Sequence, residues 1–128
     1  MIEALPARTL VDVFRFAAAS GKPELLVSRT SGAWTPLSAE AFGERTRGLA
    51  LGLALLGVDR QDRVAILSEN RPEWPMTDFA ALSLGALTVP IYTSYLAPQV
   101  EYILKDSLAK VVVVSNAIEL QKVLDVRD

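Results

Sequence analysis

The sequence predicts an α/β fold: a mostly parallel sheet flanked by helices, preceded by a helix and a β-hairpin. Three observations carry this prediction. Near-continuous apolar runs at 64–67, 87–91 and 111–114 read as strands covered on both faces, because a strand with one wet face alternates polar and apolar residues. Helical patterns near 73–84, 98–105 and 118–124 separate these runs, which implies parallel strands joined by helical crossovers. The polar turn Ser68-Glu69-Asn70-Arg71 closes the first run, and Pro72-Glu73-Trp74 opens the helix after it, the punctuation expected between strand and helix.

The elements follow in order. Thr9 can cap a first helix with Asp12 as its acidic first-turn partner, and its side chain can satisfy an amide that has no partner inside the helix. Leu10, Val13, Phe14 and Ala17 supply the apolar positions of this helix, and Gly21 is the expected stop. Residues 25–29 and 33–35 read as a hairpin around the tight turn Ser31-Gly32. Ser38 caps the next helix, 39–56, with Glu40 and Glu44 near its positive end. Phe42, Leu49 and Leu56, with Thr46 and Leu53 between them, make one predicted stripe, and Gly57 is the left-handed stop. Gly48 and Gly52 inside this helix are expected to let it lie close on the sheet, although each costs roughly 1 kcal/mol in helix propensity. Pro72 suits a first turn, whereas Pro75 is expected to bend the third helix or delay its regular part.

Composition narrows the chemistry. The chain has 128 residues, 51% of them apolar, and a net charge of −2. That suits one domain, or a piece of a larger one, with a real core. Near-neutrality and the lack of a Lys/Arg block give no footprint for nucleic acid. There is no cysteine and no histidine, which removes disulfides and thiolate sites along with the commonest general base and transition-metal ligand. A self-contained hydrolase or zinc enzyme is disfavoured. Residues 1–6 lack a signal-peptide pattern. The uncharged stretch 79–100 is interrupted by Gly85, Pro90 and Pro98 and is read as helix, strand and loop rather than a membrane span. A cytoplasmic protein is expected.

Few residues offer chemistry. No glycine-rich phosphate loop of either common spacing occurs. The Ser68–Arg71 turn sits where α/β folds bind ligands, at a strand's C-terminal end before a helix. Arg71 could attract an anion there, but Glu69 and Glu73 flank it. The expected arrangement has Asn70 as a helix cap and Arg71 paired with Glu73 or Glu69. Tyr92, Thr93, Ser94 and Tyr95 follow the second parallel strand. They either touch a ligand or, as expected, form a loop with Tyr92 packed and Thr93 or Ser94 capping. The pairs Asp59/Asp62 and Asp125/Asp128 read as solvated charges rather than a metal site, and Trp34 and Trp74 as core or interface aromatics. No catalytic, cofactor-binding or metal-binding residue is assigned.

Three segments in order resemble the start of adenylate-forming acyl-CoA synthetases, most closely the long-chain fatty acyl-CoA synthetases. They are Trp34-Thr35-Pro36-Leu37-Ser38 before a helix; residues 62–74; and residues 85–92 continued by 99–107 and 109–114. Trp34 and Pro36 depart from the family's pattern, Gln61 stands where it usually has glycine, and Thr93 where it often has proline. The Ile91-Tyr92 pair and the Ser68–Arg71 turn favour the long-chain branch over short-chain and aryl relatives. The resemblance implies that residues 1–128 are an incomplete N-terminal subdomain of an AMP-binding domain. The parent would join a fatty acid to ATP as an acyl-adenylate, with magnesium neutralising phosphate charge, and then pass the acyl group to coenzyme A. The family's phosphate loop, nucleotide contacts and catalytic lysine would lie beyond residue 128, so the fragment itself is expected to be inactive and to hold no cofactor. An unfinished sheet edge and unmet apolar helix faces would lead the isolated piece to self-associate, and the parent could sit peripherally on a membrane. Two other readings stand beside this one: another adenylate former, such as an aryl-CoA ligase or a peptide-synthetase adenylation domain, and a stand-alone α/β module that binds a partner. A Thr-Ser-Gly-rich loop within roughly the next 150 residues, about one domain's length, would identify the enzyme.

Overall fold

A computed structural model describes residues 6–127. Thr9 opens α1 (Leu10–Ala18) with a capping box: its hydroxyl accepts from the Asp12 amide, and the Asp12 carboxylate accepts from the Thr9 amide. Phe14 is the buried residue of α1, with Ala18 packed in the same cluster. Leu10 and Val13, expected on the core face, are 60% and 38% exposed, so the seat is narrower than the apolar stripe. The helix ends at Ala18 rather than at Gly21, which takes its positive φ of 68° three residues later.

The hairpin pairs β1 (Leu26–Thr30) with β2 (Ala33–Leu37) in antiparallel register, Thr30 opposite Ala33. Ser31 and Gly32 both have positive φ, 51° and 85°, the primed two-residue turn whose twist matches the strands. Trp34 lies on the open face of this hairpin, 69% exposed, with the Arg29 guanidinium 5.8 Å from its ring centre. It is not a core aromatic; Trp74 is half-buried.

Ser38 accepts from the Ala41 amide and caps α2 (Ala39–Leu55). Phe42, Thr46 and Leu53 are buried along one face, with Leu49 packed beside them. Leu56 is not on that face: it is the C-cap residue and is 66% exposed. A strict seven-residue spacing drifts about 20° per heptad around a straight helix, and two heptads carry Leu56 past the edge of the seat. Gly57 supplies the left-handed stop, φ 85°. The close approach along α2 is at Gly43, where an added Cβ would come 3.0 Å from that of Ala18. Gly48 and Gly52 face open space, so their expected role against the sheet is not what the fold uses.

Three parallel strands follow: β3 (Arg63–Leu67), β4 (Leu87–Ile91) and β5 (Val111–Val114), in the order β4-β3-β5. Helices α3 (Glu73–Ser83), α4 (Ala97–Ser107) and α5 (Ala117–Leu124) follow them in turn. Only the centre strand is covered on both faces: Val64, Ala65, Ile66 and Leu67 are all at most 1% exposed, whereas β4 and β5 are half-buried along much of their length. Among the described residues both outer strands are free edges. Two residues before β3 the backbone departs from ordinary geometry, with Gln61 at φ +67°.

The core has two sides. Phe14, Phe42, Met76 and Phe79 pack where α1, α2 and α3 meet; the Phe14 and Phe79 ring centres are 5.5 Å apart, and Phe42 meets both edge-on, the geometry aromatic quadrupoles prefer. Ala65, Leu67, Ile91 and Val100 form the other side with α4 and the outer strands. Among the described residues no helix is long and apolar enough to cross a membrane. Residues 79–100 divide into α3, β4 and the start of α4.

Candidate functional site at the C-terminal edge of the parallel sheet

The three parallel strands end together, and their following turns form one polar rim. The turn after β3 carries Ser68, Glu69, Asn70 and Arg71; the loop after β4 carries Tyr92 to Tyr95; the turn after β5 carries Ser115 and Asn116. Parallel register puts Leu67, Ile91 and Val114 side by side at this end. In open α/β sheets this is the edge that meets ligands.

Arg71 is the hub of the rim. Its Nε donates to Glu73 Oε2 at 2.7 Å, its Nη1 lies 3.6 Å from Glu69 Oε1, and Nη1 also donates to the Ser115 carbonyl at 3.2 Å. Both expected carboxylate partners are engaged at once. The Ser115 hydroxyl donates to Glu69 Oε2, so two bonds tie the β3 turn to the end of β5. The Ser115 bond holds the Glu69 carboxylate below its ordinary pKa, with Arg71 assisting. The Arg71 bond does the same for Glu73, and Glu73 raises Arg71 in return. A guanidinium committed to two carboxylates is a poor anion trap, since an incoming anion must break paired, charge-assisted bonds.

Asn70 does not cap α3. The N-cap is Pro72, in helical conformation with no side-chain bond, a position where the missing proline N–H costs nothing. Pro75 lies in the first turn of α3, where an amide would have no partner inside the helix. The Tyr92 loop also departs from expectation: Tyr92 is 71% exposed and meets Tyr95 edge-on, with ring centres 5.6 Å apart, while Tyr95 packs against the core. Neither Thr93 nor Ser94 caps α4; the N-cap is Leu96, whose amide donates to Gln99 Oε1 at 2.9 Å.

A cleft of about 800 Å³ opens between the hairpin and the β3 turn, bordered by Val27, Arg29, Thr35, Arg45, Asn70 and Pro72. It leaves no trace in the sequence because the hairpin and α2 contribute residues far from the turn. Arg29, Arg45 and Arg71 all line it.

Asp59 and Asp62 are part of the framework rather than merely solvated. Asp62 Oδ2 accepts from the Asp59 amide at 2.8 Å and pairs with Lys110 Nζ at 2.8 Å, and Lys110 also donates to the Gly57 carbonyl. The Lys110 bond holds the Asp62 carboxyl below its usual value, with the Asp59 amide adding to the effect. Asp125 accepts from Gln121. Asp128 lies outside the described residues, as do residues 1–5. Among the described residues no three acidic side chains converge as a metal site.

Comparison with known proteins places this geometry. The profile of the family described as "AMP-binding enzyme" matches residues 14–128. The chain is 48% identical over 80 residues to a long-chain-fatty-acid–CoA ligase, FadD15, of Mycobacterium bovis, a match covering 62% of this chain and 13% of the relative. It is 32% identical over 128 residues to the long-chain-fatty-acid–CoA ligase ACSBG2 of Xenopus laevis, covering 99% of this chain and 17% of the relative. The chain thus spans less than a fifth of the length of these relatives. Among solved structures, a Mycobacterium tuberculosis fatty acyl CoA synthetase superposes with TM-score 0.76 and 29% identity, over 91% of this chain and 23% of the other. An anthranilate CoA ligase, AuaEII, superposes with TM-score 0.80 at 24% identity, over 98% of this chain and 23% of the other, a likeness of fold alone. A match over residues 14–128, on a fold shared with acyl-CoA synthetases, makes this chain a member of the AMP-binding enzyme family.

Proposed function

We infer that the protein carrying this chain is a long-chain fatty acid–CoA ligase: it activates a fatty acid with ATP as an acyl-adenylate and transfers the acyl group to coenzyme A. The observation behind this reading is the alignment along 99% of the chain with a relative named for that activity. The Ile91-Tyr92 pair and the Ser68–Arg71 turn, which resemble the long-chain branch, support it.

On this reading the chain is an incomplete N-terminal subdomain. It supplies one wall of the larger sheet and a rim that its own ion pairs already hold in shape. ATP, magnesium and coenzyme A belong to the whole enzyme, where bound magnesium supplies charge neutralisation at the phosphates. Within this chain, Arg71 holds Glu69 and Glu73, and Ser115 fastens Glu69 and Arg71 to the end of β5. The chain alone is therefore inactive on this reading. A cytoplasmic setting, or a peripheral one at a membrane, suits such an enzyme.

The test compares coenzyme A thioester formation by the whole protein with palmitate, acetate and coumarate. Fastest turnover with palmitate supports the reading. Fastest turnover with coumarate would overturn it in favour of an aryl-CoA ligase, a choice the fold leaves open because the anthranilate ligase shares it. No thioester with any of the three would point to the stand-alone binding module.

A further inference from the structure

The loop after β4 is held from beneath by a charged pair on α5. Lys122 donates Nζ to the Thr93 carbonyl at 2.7 Å, and the same nitrogen lies 2.9 Å from Glu119 Oε2. Glu119 is 6% exposed, and the Lys122 side chain 21%. Glu119 Oε2 is buried, and among the described residues it has no well-aligned hydrogen bond, so the ion pair with Lys122 is its compensation. A carboxylate withdrawn from water is costly unless a cation is fixed beside it. One turn of helix separates the two residues, and the geometry runs one way: the buried carboxylate fixes the ammonium, and the ammonium fixes the carbonyl.

The start of α5 is secured separately. The Asn116 side chain accepts from the Ile118 and Glu119 amides, and the Ser115 turn is tied to Glu69 and Arg71. Lys122 is thus not needed to start its own helix. What it adds is a bond across the rim, from the helix after β5 to the loop after β4, two strands that flank β3 on opposite sides. The loop closes a turn of its own, the Tyr95 amide donating to the Tyr92 carbonyl at 3.1 Å. The Thr93 carbonyl lies inside that turn.

We propose that Glu119 and Lys122 are positioning residues that hold the 92–95 loop in the shape in which Tyr92 and Ser94 stand exposed at the ligand-facing edge of the sheet. The assignment stands whichever acid the enzyme activates. Lys122→Met keeps the aliphatic stem and removes the ammonium, leaving Glu119 buried and unpaired. Glu119→Gln with Lys122→Met removes that penalty without restoring the tether.

Amide hydrogen exchange on the full chain, read residue by residue, tests it. In Lys122→Met the Tyr95 amide is expected to exchange about tenfold faster, the scale of one lost hydrogen bond from a charged donor, while the Ile118 and Glu119 amides keep their wild-type rates. The double variant is expected to recover the thermal stability lost in the single one and still to exchange fast at Tyr95. Unchanged exchange at Tyr95 in Lys122→Met would overturn the proposal. So would an equal rise at Ile118, which would mean that the helix had melted, or a return of Tyr95 to the wild-type rate in the double variant.

Discussion

Replacing Gln61 by glycine should stabilise the chain. Gln61 sits between the Asp59 turn and β3 with φ +67° and an exposed side chain. A left-handed conformation costs an L-residue about 1–2 kcal/mol because Cβ crowds the following carbonyl. Glycine removes that crowding but loosens the unfolded chain, which gives back about 0.4–1 kcal/mol. From the midpoints of those two ranges the net gain is about 0.8 kcal/mol. The bonds at this position belong to the main chain and survive the change: the Gln61 amide donates to the Gly85 carbonyl at 2.8 Å, and its carbonyl accepts from Arg63 at 3.1 Å. Urea unfolding should show a higher midpoint with an unchanged slope, and the melting temperature should rise by about 2–5 °C for a domain of this size. Gln61→Ala is the control, since alanine keeps the Cβ and hence the strain. If glycine gives no gain, or alanine gains as much as glycine, strain at residue 61 is not the cause.

Leu108 repeats the situation at the end of α4, with φ 53° and 70% exposure; Leu108→Gly should raise the unfolding free energy by about 0.8 kcal/mol, read by the same urea titration. Acid should weaken the fold through Asp62, Glu69 and Glu73, whose carboxyls all lie below their ordinary values of 3.8, 4.5 and 4.5. A depressed folded pKa gives stability that is whole above the unfolded value and lost as pH falls through the folded one. The midpoint should therefore fall below about pH 4, and Asp62→Asn should flatten that fall; an unaltered acid limb in the variant would refute the assignment. The 128-residue chain should self-associate at micromolar concentration through the free edges of β4 and β5, and sedimentation equilibrium showing one monomer throughout would contradict this.

How far the sequence could be read depended on whether a local rule or a distant partner decided the outcome. The four valines of β5 fall where the apolar run put them, and the Ser31-Gly32 turn and the Thr9 and Ser38 caps form as their residue types dictate. These are short-range matters of sterics and unpaired amides. Gln61 belongs with them: a glutamine at a position where the resembling family usually has glycine keeps a backbone that suits glycine. Not every local rule held: Asn70 does not cap α3, and neither Thr93 nor Ser94 caps α4. The other errors concern coverage. Leu10, Leu56 and Tyr92 are apolar or aromatic where a core was expected, yet each is exposed, because periodicity says which residues share a face and not whether anything lies on it. Gly48 and Gly52, expected to lie close on the sheet, face open space, and the close approach along α2 is that of Gly43 to Ala18 of α1. In the rim, the Arg71 pairing with its sequence neighbours was legible. The Ser115 and Lys122 bonds span 44 to 46 and 29 residues and leave no local trace.

The most direct test of the account is ATP–pyrophosphate exchange with palmitate and magnesium, measured on this chain alone and on the chain joined to the rest of its domain. No exchange above background is expected from residues 1–128, and clear exchange from the longer protein. Exchange by the 128-residue chain alone would contradict that, because the Arg71 guanidinium at the centre of the rim is committed to Glu69 and Glu73.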